Sequence, residues 1–287
     1  MSGLLQVTIE QGLIFSILAI GVYITYKILD FPDLSVEGTF PLGAFVFSKF
    51  VLMNINPVFG SLLAIATGAL AGGITYILHI KFKIKAILSG ILTMTLLYSV
   101  NLRINGRSNI GLSSYPTIYD YFGKLIVLVL SVVIIKLLID RYLKSEAGYL
   151  LIATGDNEAL VRSLGQSSNK YKLIGLMISN ALVSLSGAMM AQAQGFADIT
   201  MGNSIIVVAL ASIIIGDTVM QKSTLLKGST RAIIGALSYR LIGGLAIEIG
   251  LSPTDLKAVS AFIVIGFLAY NNRGGFYVKN IKAKEKL

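Results

Sequence analysis

Long apolar runs with short polar punctuation set the pattern of this chain. They fall at about 11–29, 38–53, 57–79, 86–102, 124–142, 173–192, 204–215, 229–249 and 256–270. A membrane span needs about 20 mostly apolar residues. The pattern therefore predicts an all-α fold, a polytopic membrane helical bundle of about nine transmembrane segments forming one domain over 1–287. The second segment departs from the rest. It is short, carries Gly38, Pro41 and Gly43 at its start, and follows the polar run Asp30-Phe31-Pro32-Asp33-Leu34-Ser35-Val36-Glu37. Segments interrupted by Gly and Pro line cavities more often than they face lipid, so it reads as a broken span. In the third, Gly68 and Gly72 are spaced for close helix packing.

The longest polar break is 144–172, with Lys144, Arg162, Lys170 and Lys172. Inside it, 155–165 reads as a short helix bounded by Gly155 and Gly165. Asp156 or Asn157 can cap its first amides, and Gly165 can end it in a left-handed turn. Leu160, Val161 and Leu164 are expected on one face, with Glu158 and Arg162 paired at i, i+4. Such a helix can lie on the lipid surface, plug into a soluble partner or merely sit in a solvated connection. The apolar face with a charged rim favours the partner.

Charge sets the orientation. The basic segments are 81–85, 144–172, 222–231 and the tail 271–287, and nine crossings place all four on one side. Basic loops mark the cytoplasm, so the coupling stretch 144–172 and the tail are expected inside and the N-terminus outside. Arg103 and Arg107 are exceptions, and a re-entrant second segment would flip the N-terminus.

Composition agrees with a membrane protein. Of 287 residues, 55% are hydrophobic and only 13% charged, with a mean hydropathy of +0.79. Soluble domains carry about 25% charged residues. The net charge of +10 resides in loops and tail rather than in a basic domain, so no nucleic-acid partner is expected. There is no cysteine and one histidine, His79, at the end of an apolar run. Neither a metal site nor a Ser/His/Asp set is expected, and the chain reads as non-enzymatic. The stretch Gly216 to Ser223 imitates a phosphate loop, but Gln221 stands where that loop needs a glycine before the lysine. Nucleotide binding by this chain is not expected.

What remains are polar groups inside apolar spans, which need partners or a wet cavity. Thr93, Tyr98 and Asn101 in the fourth span, Asn180 in the sixth and Glu37 ahead of the second are the candidates for a translocation path for a small polar solute. Ser and Thr at such places can equally bond their own helix backbone or a neighbouring helix. A secondary carrier driven by an ion gradient would need buried charges for coupling, and Asp30, Asp33 and Glu37 are the acidic cluster near a span.

At this point a family resemblance is visible. The run 17–23 followed by Asp33-Leu34-Ser35-Val36-Glu37-Gly38 resembles the start of permeases of ATP-driven importers of the branched-chain amino-acid and ribose-type group. In the sugar members a similar Asp-Leu-Ser-Val-Gly element follows the first span; here Glu37 precedes the glycine. The runs 87–95 and 148–187 are also similar to that group. More narrowly, 30–44 and 101–109 look like a permease subgroup associated with tryptophan or tyrosine uptake. The resemblance implies a permease subunit of the bacterial inner membrane that works as a homodimer. It also implies ATPase subunits that use the ATP, an extracellular binding protein and an amino-acid solute, with a sugar or nucleoside as alternatives. It gives 155–165, with Gly155, Asp156, Asn157, Glu158, Leu160, Val161, Arg162, Leu164 and Gly165, the task of docking on the ATPase.

Overall fold

The computed structural model describes residues 2–220 and 227–252, with isolated positions between 258 and 266. Helix α1 (Ser2–Tyr23) runs into one π-helical turn, Ile24–Ile28. Then follow α2 (Val36–Leu52), α3 (Pro57–Ile80), α4 (Ala86–Asn105), strand β1 (Asn109–Gly111), the single turn α5 (Tyr119–Phe122) and α6 (Lys124–Leu143). Two short helices come next, α7 (Glu146–Asp156) and α8 (Glu158–Ser163), before the long α9 (Ser168–Gln194). Strand β2 (Phe196–Asp198) leads through a 3-10 turn, Ile199–Gly202, to α10 (Ile205–Val219) and α11 (Gly228–Glu248). The fold is a helical bundle with one departure from all-α. The two strands pair antiparallel, Ile110 opposite Ala197.

Among the described residues, six helices are long and apolar enough to cross a membrane. The expected nine are not reached, for three reasons. Helix α2 has 17 residues, roughly 26 Å, short of a hydrocarbon core of about 30 Å. Helix α6 is long enough, but its second half carries Lys136, Asp140 and Arg141. The ninth run, 256–270, lies outside the described residues apart from isolated positions.

From Leu13 to Val22 helix α1 is apolar on nearly every side, and a helix of that kind is driven inside. Ile14, Ile17, Leu18, Ala19, Ile20 and Val22 are all at most 1% exposed, packed by α6, α9, α10 and α11. Helix α9 is the second central element, and there small residues let backbones approach. A Cβ on Gly72 of α3 would overlap the Leu176 carbonyl of α9, and one on Gly68 would overlap Asn180 and Ser184. The spaced glycines are therefore a contact face. Gly72→Val is expected to cost about 1–3 kcal/mol through overpacking. Gly73→Val, where a Cβ meets nothing within 4 Å, is the control. Melting of the detergent-purified protein should separate the two.

The bundle has two unlike ends. At one, His79 Nδ1 is 2.8 Å from the Ile84 carbonyl oxygen and its ring meets Phe31 edge-on at 5.1 Å. Lys27 and Arg231 both pair with Asp217 there, and Lys136 and Lys227 both pair with Asp140. Helices α7 and α8 lie at this basic end, since Gly155 packs on the Ile28 carbonyl at the end of the π-turn. The other end holds the β1–β2 ribbon. Helix α2 begins part-way between the ends, against Met94 and Leu97 in the middle of α4, and runs to the ribbon end. The chain from Leu29 to Ser35 climbs there without helix. The expected break is not at Gly38, Pro41 or Gly43, through which α2 runs as one helix, but in the polar stretch ahead of it.

Candidate functional site

The polar stretch after α6 folds into a clamped pair of helices rather than one. Ser145 caps α7 by accepting from the Gly148 amide at 3.3 Å. A Cβ on Gly148 would overlap the Tyr142 carbonyl, so the corner between α6 and α7 needs glycine. Gly155 was expected to open the short helix. It lies instead in the last turn of α7, where its missing side chain lets α7 seat on Ile28. The break falls at Asn157, extended at φ −159°, whose Oδ1 accepts from the amides of Ala159 and Leu160 at 3.0 and 3.2 Å. Asn157 is thus the cap of α8, and Asp156 ends α7. Gly165 has φ +73° and closes the far end as expected.

The faces of α8 also differ from the expectation. Val161 is fully buried, whereas Leu160 and Leu164 are 50% and 61% exposed. Six residues make under two turns, and Val161 at i+1 from Leu160 points back into the bundle. Glu158 accepts from Arg162 at 2.9 Å, as the i, i+4 spacing predicted, and it also pairs with Lys172 at the start of α9. The result is a short helix pinned by Val161 and the Glu158–Lys172 pair, holding two apolar side chains outward one turn apart, with the Glu158–Arg162 pair on the other side of the helix.

Partial burial alone would raise the Glu158 carboxyl, but Lys172 and Arg162 outweigh it and hold it below the ordinary carboxylate range. A carboxylate depressed in the fold contributes its stability above its unfolded pKa and loses it as pH falls through the folded value. The seating of α8 on α9 should therefore be unchanged from neutral pH down to the usual glutamate range and loosen only below it. Amide exchange at Leu160 and Val161 across acidic pH measures this, and Glu158→Gln should remove the acid limb.

The second region is a cavity of about 330 Å³ beside the start of α2. Glu37, Gly38 and Pro41 form one wall, Met94, Tyr98 and Asn101 of α4 another, and Ile199 and Asn203 around the 3-10 turn close it. Two glycines bring these walls together. Gly38 meets Met94 and Leu97, and a Cβ on Gly202 would overlap the Glu37 carbonyl. Three of the five path candidates, Glu37, Tyr98 and Asn101, share this cavity. Thr93 and Asn180 do not line it. Thr93 is fully buried, accepts from Thr75 at 3.0 Å and donates to the Ser89 carbonyl at 2.9 Å. Asn180 is fully buried too. It accepts from Ser35 and Thr39 at 3.2 and 2.7 Å and donates to Asp33 and the Leu176 carbonyl at 2.8 and 3.1 Å. It ties the unwound entry to α2 onto α9. Met94, Ile199 and Asn203 were not singled out from sequence, since nothing in their local pattern sets them apart.

Comparison with known proteins gives these features a context. The family described as branched-chain amino acid transport system / permease component matches residues 5–269. The chain is 48% identical to a tyrosine transport system permease protein of Clostridioides difficile over 273 residues, covering 95% of this chain and 92% of that one. It is 36% identical to an uncharacterised protein of Rickettsia prowazekii, covering 91% and 95%. A ribose import permease of Escherichia coli is 24% identical, over 92% of this chain and 84% of its own length. No solved structure matches the chain.

Proposed function

The chain belongs to the branched-chain amino acid transport permeases, multi-pass proteins of the bacterial inner membrane, and from that membership we propose that it is the conducting subunit of an ATP-driven importer of an aromatic amino acid. The observation that carries the reading is α8. It is a charge-pinned helix at the basic end of the bundle whose Leu160 and Leu164 stand exposed among the described residues. An exposed apolar pair on a helix that also carries charge suits a groove on a soluble partner, and an ATPase subunit is the partner such a permease requires.

In this reading the basic end faces the cytoplasm, by the bias of basic loops, and the ribbon end faces outward, where a binding protein delivers solute. Helices α1, α3, α4, α6, α9, α10 and α11 cross the membrane, and the unwound segment with α2 makes one further crossing. Two copies face each other around the path. Seating of the ATPase on α8 transmits motion through α7 to the end of α1 at Ile28 and through Lys172 to α9. Helix α9 carries the Asn180 node that holds the entry to α2, and α2 forms one wall of the cavity, so movement at the basic end reaches the middle of the bundle. Tyrosine is favoured as solute by the 48% identity to a tyrosine transport permease, and the more distant likeness to ribose permeases leaves sugar as the competing solute.

The test is uptake by proteoliposomes holding the permease, its ATPase and its binding protein. Labelled tyrosine should enter only with ATP and an active ATPase. Uptake driven by an ion gradient with no partner would overturn the proposal in favour of a secondary carrier. Binding measurements on the partner binding protein fix the solute independently.

A further inference from the structure

We propose that a second cavity, at the basic end of α6, holds the headgroup phosphate of an anionic phospholipid whose acyl chains lie along the exposed face of the same helix. The proposal rests on the orientation given above, basic end inward, and not on the identity of the solute. The cavity measures about 560 Å³ and is lined by Leu137, Asp140, Arg141, Lys144, Ser145 and Lys227. Three cations thus face one carboxylate, and that carboxylate is already committed. Asp140 accepts from Lys136, Lys227 and Ser229. Arg141 and Lys144 are exposed, and among the described residues neither makes an ion pair. They stand three positions apart on α6, where side chains are neighbours and like charges repel. An anion held between them relieves that repulsion. A phosphate suits both, since Arg can grip two of its oxygens at once and Lys adds a compact charge.

The same helix presents the surface for the apolar part of the ligand. Ile126, Leu130, Ile134 and Leu137 are each more than half exposed. Steps of four, four and three set them in one row, and Arg141 and Lys144 continue it by steps of four and three. Leu137 belongs both to the row and to the cavity. From Ile126 to Leu137 the row rises roughly 16 Å, close to one leaflet of a hydrocarbon core about 30 Å thick. Free phosphate would use the cations and leave the row bare, whereas a phospholipid uses both. Basic pockets between membrane helices on the cytoplasmic side take anionic headgroups, and the cytoplasmic leaflet is negatively charged. A second copy of the chain is the competing occupant. It would stand with its basic end at the same depth, so α6 against α6 would bring Arg141 to Arg141 with both Asp140 carboxylates already committed. Charge therefore favours the lipid.

Native mass spectrometry of the permease–ATPase complex tests this by titration with phosphatidylglycerol, phosphatidylcholine and inorganic phosphate. Phosphatidylglycerol should bind about tenfold or more tightly than phosphatidylcholine, whose phosphate is neutralised by its own choline. Arg141→Gln and Lys144→Gln should each weaken phosphatidylglycerol about fivefold, and together roughly thirtyfold. Excess inorganic phosphate should not displace the lipid. On the parent complex, phosphatidylglycerol with a photoactivatable acyl chain should label α6 between Ile126 and Leu137, and this measurement decides alone if the charge variants fail to assemble. Ile134→Cys should form no disulfide with its own copy under oxidation. The proposal is overturned if phosphatidylcholine binds equally well, or if the double variant binds phosphatidylglycerol like the parent. Displacement by inorganic phosphate would assign the cations to a free anion, and a photolabel elsewhere would take the chains off α6. An Ile134→Cys disulfide between copies would give the face to a second permease instead.

Discussion

Leu160→Asp is expected to abolish ATP-driven uptake while leaving the chain folded and inserted in the membrane. Leu160 is half exposed on α8 and contributes no core contact that the fold depends on, whereas its neighbour Val161 is fully buried. Replacing an apolar anchor at an interface centre costs about 2 kcal/mol or more. A buried unpaired carboxylate adds to that, so the affinity for the ATPase should fall about 100-fold. Leu164→Asp should behave alike, one turn further on. Val161→Asp should instead destabilise the permease itself, because it places the charge between α8 and α9. Co-purification with the ATPase, thermal melting and uptake read the three outcomes apart. A Leu160→Asp complex that still assembles and transports at the parental rate would remove α8 from the docking role.

The largest effect on stability is expected at Asn180. Its side chain spends hydrogen bonds on Ser35, Thr39, Asp33 and the Leu176 carbonyl, and it is fully buried with them. Asn180→Leu keeps the volume but leaves the enclosed Asp33 carboxylate without its amide donor, with the Ser35 amide at 2.9 Å still bonded to it. Leaving a buried acceptor without its donor costs about 1–3 kcal/mol, and Ser35 and Thr39 lose their acceptor as well. The segment from Leu29 to Ser35 has no helix to fall back on, so the loss should appear as release of that segment and of α2 from α9. A double-mutant cycle with Asp33→Leu isolates the contact. The pair of substitutions should cost less than the sum of the singles by about 1–3 kcal/mol. Strict additivity would mean that Asn180 and Asp33 do not act on each other.

The sequence carried the long helices well because each is an apolar run that ends where polar residues begin. Helix α3 starts at Pro57 behind the Asn56 cap and α11 at Gly228, each within a residue of its expected bound. Glycine was harder to read, since it serves two physical ends. Gly165 supplies a left-handed turn, which a local pattern reveals. Gly155 supplies room for the Ile28 carbonyl, a contact with a residue more than a hundred positions away. That is why the expected single helix at 155–165 is in fact the tail of one and the whole of another. Asn180 misled in a similar manner. A lone amide in an apolar run suggests a wet path, yet its partners Ser35, Thr39 and Asp33 stand 145, 141 and 147 residues away and enclose it. Glu37 and Asn101 carry the same kind of sequence signal, and the fold sets them on a cavity instead. The pairing of Asn109 with Asp198 across the ribbon, where Asn109 donates to the Asp198 carboxylate at 2.8 Å, was equally invisible, because three-residue strands show no period.

The account turns on where α8 sits and what covers it, and the chain has no cysteine of its own, so a single introduced thiol reports on that directly. Leu164→Cys should react with a membrane-impermeant maleimide in inside-out vesicles and not in intact cells, and bound ATPase should protect it. Labelling of intact cells from outside, or labelling that is undiminished when the ATPase is bound, would contradict a permease driven through this helix from the cytoplasm.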